Sequence, residues 1–276
     1  MISKLRAFLL GALGIALMVA LFLLLTARPS DRESIIHSRV ASTGQVSVHV
    51  IFLLENALVV AGHYTEHLAW LNAVGGERAA DRHSNAWTSD TAVGYWLSGA
   101  PEDLPELLEK LKGVFDPIDL PRDFAEEERR ILLREYEFRM ADNPDARATV
   151  EMDAFLYQGN AIAASPIGTP EDIMALDYDE ARALHEETHV PENARLVVIG
   201  DVTERQVRRA TRDADWPEVK PADVSPPPFE LVAPETTTLR YPDPDAAPRL
   251  IWRRVVALPE LVQFDLLEAQ TALLSD

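Results

Sequence analysis

No cysteine occurs among the 276 residues. That excludes a disulfide framework, a thiol nucleophile and a thiolate metal site, so a bound metal would have to rest on histidine and carboxylate. Basic residues are scarce as well: 26 Lys and Arg stand against 45 Asp and Glu, a formal net charge of -19. Binding to a phosphate backbone needs a basic face, so nucleic acid is excluded as a partner. One long apolar run is present, from Ala7 to Ala27, behind Lys4 and Arg6 and closed by Arg28-Pro29. About 20 apolar residues suffice to span a bilayer, whereas a cleaved signal has a shorter apolar part. Residues 1–30 are therefore expected to form an uncleaved transmembrane anchor in the inner (cytoplasmic) membrane. The positive flank stays in the cytoplasm, so the rest should be extracytoplasmic (periplasmic). Leu25-Thr26-Ala27 is a poor cleavage site; cleavage there would make the protein secreted.

Residues 31–44 are polar and read as a tether. From 45 to 215 the chain alternates strand and helix signals in an α+β pattern. Gln45 to Leu54 reads as a strand entering a core, Glu55 to Leu71 as a helix and His83 to Ser98 as strand. Helices are expected from Pro101 to Val114, Arg122 to Ala141 and Asp145 to Tyr157, and again after the cap at Thr169-Pro170. Ala194 to Ile199 reads as a strand and Thr203 to Asp213 as a helix. The prolines between 216 and 236 mark a semi-rigid linker. Residues 237–276 read as two strands and a helix, too little to close a core, and hence as the start of a truncated second domain.

The segment His63-Tyr64-Thr65-Glu66-His67 falls in the second of these elements. On a helix, His63 and His67 lie one turn apart on one face and can present two imidazoles to one ion. Glu66 edges the same face, where it can reach a metal-bound water without displacing a ligand. A catalytic zinc needs a third protein ligand. The helix around Glu126 to Glu135 offers Glu128 and Glu135, seven residues apart and on one face. His185-Glu186-Glu187-Thr188-His189 spells the other order, His-Glu-x-x-His, but Val190-Pro191 ends its helix at once. Its acidic surroundings read as a solvated helix terminus, with His189 near the C-terminal dipole.

Taken in order, these segments resemble the pitrilysin/insulinase superfamily of zinc endopeptidases over about residues 45 to 275. Gly62 to Leu68 is similar to the family's inverted zinc motif. Ser84-Asn85-Ala86-Trp87-Thr88 resembles its substrate-pairing strand, and Glu128-Arg129 with Glu135 its acidic helix. Pro166 to Ile173 and Pro191 to Asp201 resemble later landmarks of the first family domain. The resemblance implies a two-layer, LuxS/MPP-like fold, with His63, His67 and Glu135 binding Zn2+ and Glu66 as general base. Glu128 would support the catalytic site, and Asn85, Ala86, Trp87 and Thr88 would take an extended peptide substrate as an added strand. Tyr64-Thr65 replaces the commoner Phe-Leu pair. The family closes two homologous domains around its substrate, and the second supplies an Arg and a Tyr that this chain does not reach. A second homologous domain or subunit is therefore expected to close the site. The rival reading is a non-catalytic or half-active subunit that binds peptides or a partner chain.

Overall fold

The computed structural model describes residues 35–40, 44–53, 60–75, 83–141, 143–217, 238 and 240–242. Along the chain run β1 (Ile35–Arg39), β2 (Val46–Leu53), α1 (Val60–Ala73), β3 (Ser84–Thr88) and β4 (Ala92–Gly99). Then come α2 (Leu104–Lys112), α3 (Arg122–Tyr136), a π turn (Glu137–Ala141), α4 (Pro144–Leu156) and α5 (Pro170–Ala175). The series ends with α6 (Tyr178–Thr188), β5 (Ala194–Gly200) and α7 (Glu204–Asp213).

The alternation in β2 explains its place. Val46, Val48, Val50 and Phe52 point to one face and join the main core with Tyr64 and Leu68 of α1, Leu108 of α2 and Leu132 of α3. Ile51 points the other way, into a smaller cluster with Ala92, Val197 and Ile199. A strand buried on both faces belongs in the middle of a sheet, and the order is β1-β5-β2-β4-β3. Only β1 and β5 pair in parallel; the other neighbours are antiparallel. The main core is built between this sheet and the helices, giving a sheet-and-helix α+β domain.

Three helix starts follow from their caps. The Thr169 hydroxyl accepts from the Asp172 amide and Thr203 from the Gln206 amide, both in capping boxes, and Asn143 accepts from the Ala146 amide ahead of Pro144.

The stretch expected as strand from His83 to Ser98 is the pair β3 and β4, the helix expected from Pro101 to Val114 has 3-10 turns at both ends, and two further boundaries differ from expectation. Residues 35–39, read as part of a polar tether, form edge strand β1, held to β5 and by a bond from His37 Nε2 to the Val202 carbonyl (2.9 Å). Ser38 and Arg39 are exposed, as edge strands tolerate, and that polarity hides the strand. The helix expected from Arg122 to Ala141 is α-helical only to Tyr136 and widens into the π turn. Among the described residues no helix is long and apolar enough to cross a membrane. The expected anchor over 1–30, the linker beyond 217 and nearly all of 237–276 lie outside the described residues.

His49, in the centre of β2, carries a pH prediction. It is 5% exposed, and burial lowers its pKa from 6.5 to about 4. The unfolded chain takes up the proton first, so the contribution of His49 to stability is complete above pH 6.5. It is lost as pH falls from there toward 4, by up to about 3 kcal/mol. Exchanging His49 for glutamine is expected to flatten the fall of the thermal midpoint across this window. Parallel curves for the two proteins would contradict it.

Candidate metal centre

Helix α1 is buried along most of its length, and its contacts fix the direction of the metal-motif face. The Tyr64 hydroxyl donates to the Ala125 carbonyl of α3 (2.9 Å), and Thr65 Oγ1 donates back one turn to the Ala61 carbonyl (2.8 Å). The motif face thereby meets α3. The His63 and His67 rings stand 4.9 Å apart between centroids and nearly perpendicular. Both Nε2 atoms lie 3.6 Å from the same atom, Glu135 Oε2. Side-chain atoms of His63, His67 and Glu135 thus gather within 4.8 Å of one another. Glu66 Oε2 lies 3.9 Å from His63 Nε2 and accepts the Thr88 hydroxyl at 3.2 Å.

This arrangement fits a tetrahedral metal. Bonds of about 2.1 Å put neighbouring ligand atoms ~3.4 Å apart, close to the 3.6 Å separations here. His67 Nδ1 lies 3.0 Å from Glu128 Oε2. A carboxylate accepts, so Nδ1 carries a proton, and Nε2, which faces Glu135, is the nitrogen a metal would take.

The electrostatics agree with a site for positive charge. Burial opposes a charge on His67, but the Glu128 and Glu135 hydrogen bonds and the charge of Glu66 overrule it and push its pKa up to about 10. His63 goes the other way: burial and its neighbour His67 lower it to about 4, leaving a neutral imidazole. Burial pushes Glu66 up to about 7. Burial works against the Glu135 charge too, yet His67, His63 and Arg139 hold it below its ordinary value.

These residues face a cleft of about 620 Å³ between α1, α3 and β3. Among the described residues β3 is the last strand of the sheet. The Ser98 amide donates to the His83 carbonyl and the Ser89 amide to the Ala92 carbonyl. That parity directs the amides and carbonyls of Asn85 and Trp87 to β4 and leaves those of Ser84, Ala86 and Thr88 at the outer edge. The four expected substrate residues therefore divide. Ala86 and Thr88 present their backbone groups to this edge and their side chains to the helical layer. Trp87 turns to the opposite face, against the smaller cluster and over Gly94, where any Cβ would meet its ring.

The second histidine motif is corrected: it is buried, not a solvated terminus. His185 is 2% and His189 4% exposed, with rings stacked 4.3 Å apart. Their Nε2 atoms are bound elsewhere, His185 Nε2 at the Val114 carbonyl (2.9 Å) and His189 Nε2 at the Tyr95 hydroxyl (2.7 Å). Thr188 donates to the Leu184 carbonyl, so its oxygen accepts from His189 Nδ1 and Tyr95 is the donor to Nε2. Burial pushes the Tyr95 hydroxyl well above its ordinary pKa and His189 well below. The acidic residues of this helix point outward; the histidine spacing served packing.

Sequence reasoning missed Arg139, which pairs with Glu135 Oε1 at 2.5 Å. Its four-residue spacing from Glu135 was the available signal.

No protein-family model matches the chain. It is 28% identical over 149 residues to the chloroplastic stromal processing peptidase of Pisum sativum, covering 51% of this chain and 12% of that protein. To the zinc protease PqqE of Helicobacter pylori it is 24% identical over 178 residues, 60% of this chain and 40% of the relative. The chain therefore spans only part of the length of these relatives. The crystal structure of a protease from Helicobacter pylori shares the fold, with a TM-score of 0.61 at 21% identity over 72% of this chain and 51% of that one. Relatedness in sequence and likeness in fold agree with each other and with the resemblance to pitrilysin/insulinase-type metallopeptidases.

Proposed function

We propose that the protein is a zinc-dependent endopeptidase that hydrolyses extended peptides or small unfolded proteins. The observation that carries this reading is the meeting of two imidazole Nε2 atoms on one oxygen of Glu135, with the buried carboxylate of Glu66 beside them. His63, His67 and Glu135 would hold the metal, and Glu128 would keep His67 in the right tautomer. Zinc in such a site supplies a Lewis acid and lowers the pKa of a bound water toward neutrality. Glu66 takes the proton from the attacking water, held in place by the Thr88 hydroxyl. The outer edge of β3 binds the peptide as an added strand, through the backbone of Ala86 and its neighbours. A second homologous domain or subunit closes the cleft. The apolar run from Ala7 to Ala27 anchors the protein in a membrane with this domain on the extracytoplasmic side.

The reading is tested by metal analysis and peptide turnover on one preparation. The chain is expected to carry one zinc, and the His63→Ala, Glu135→Ala double variant none, each measured by elemental analysis after dialysis. Equal zinc in both would sink the assignment. Loss of turnover of an unstructured peptide on chelation, restored by added zinc, completes the test.

A further inference from the structure

The two oxygens of Glu135 have different environments. Oε2 faces both imidazoles at 3.6 Å, while Oε1 is held by Arg139 Nη2 at 2.5 Å. We infer that Arg139 is a positioning residue that fixes the Glu135 carboxylate so that a single oxygen is offered to the metal. This inference rests on the zinc reading above.

Pairs of the same kind occur elsewhere on the surface, such as Arg134 with Glu127 (3.0 Å) and Arg208 with Glu204 (2.8 Å). In both the acid is at least a third exposed, and such pairs contribute little. Glu135 is 20% exposed, and its partner comes from the π turn that begins two residues later. A π widening inside a helix is a frequent mark of a functional site. Arg139 itself lines the cleft beside Met140.

Two effects of the guanidinium oppose each other. Its charge repels a dication, while its hydrogen bond stops the carboxylate from rotating to offer both oxygens. The charge is more than half exposed and already paired, so solvent and Glu135 screen it. The directional bond has no substitute among the described contacts of Oε1, so orientation wins. Held this way, Glu135 occupies one coordination position, and the fourth position of a tetrahedral site stays open for water.

The test is zinc affinity, measured by competition with a chromophoric chelator on the purified protein. Arg139→Ala is expected to weaken zinc binding about tenfold, the lower end of what loss of an outer partner of a ligand costs. Arg139→Lys should recover most of it, and Arg134→Ala, at the ordinary surface pair, should match the parent protein. The cobalt(II)-substituted protein gives a second readout. Its visible bands should weaken in Arg139→Ala as the carboxylate becomes bidentate and coordination rises above four, a change that a purely structural role would not produce. Zinc binding in Arg139→Ala as tight as in the parent, or tighter, would overturn the inference alone. A parent protein that binds no zinc would overturn the metal reading and this inference with it.

Discussion

Exchange of Glu66 for glutamine is expected to lower peptide turnover by about three orders of magnitude while leaving zinc bound. The two outcomes separate because of where Glu66 sits. It is 4% exposed and stands outside the trio of His63, His67 and Glu135 that gathers around one point. Glutamine has the same shape, and its carbonyl oxygen can still accept the Thr88 hydroxyl that now binds Glu66 Oε2. What it cannot do is take a proton. The fold should also tolerate the change, since an amide replaces a carboxylate whose charged form is disfavoured by burial. The comparison is read as the ratio of kcat/KM values, in an assembly in which the parent cleaves an unstructured peptide, with zinc content measured on the same samples. Turnover within tenfold of the parent would sink the role given to Glu66. Zinc lost together with activity would instead make Glu66 a ligand and displace Glu135.

The grouping of His63, His67, Glu128 and Glu135 was legible in part in the sequence because its geometry is that of two helices. His63 and His67 are one turn apart, Glu128 and Glu135 two turns apart, and helical repeat alone puts each pair on one face. The meeting of the two faces is a different kind of fact. It depends on contacts such as Tyr64 with Ala125, 61 residues apart, which no local pattern reports. The same gap explains the misreadings. His185 and His189 look solvated because their neighbours in sequence are acidic, yet His189 packs inward against Phe52 and Tyr95, and His185 stacks on His189 and bonds the Val114 carbonyl. Strand β1 looks like a tether because only its partner β5, more than 150 residues away, gives it a role. The outer edge of β3 shows the same gap at finer scale. Its composition marks a strand, but which amides face outward is set by register against β4, and one residue of slip would exchange Ala86 and Thr88 for Asn85 and Trp87.

The largest stability effect is expected at Gly200, the last residue of β5. Its φ of +148° lies where side chains are strained, and a Cβ there would come within 2.2 Å of the Gln45 carbonyl oxygen and 2.6 Å of Val46 Cα. Both are backbone atoms, so no rotamer change relieves the contact. Nor can the backbone retreat cheaply. The Gln45 carbonyl accepts the Asp201 amide at 3.0 Å, the Gly200 carbonyl accepts the Val40 amide at 2.9 Å, and Gly200 pairs with Val46 in the ladder. Three strands, β1, β5 and β2, are thus tied at this one residue. Gly200→Ala is expected to cost on the order of 4 kcal/mol, backbone strain and overpacking together, a large share of a typical domain's stability. The consequence reaches the centre, because Tyr64 and Leu68 of α1 pack into the same core as Val50 and Phe52 of β2. Urea unfolding, followed by circular dichroism, measures the loss directly. A midpoint shift equivalent to less than 1 kcal/mol would mean that β5 and β2 do not approach as closely as the register requires.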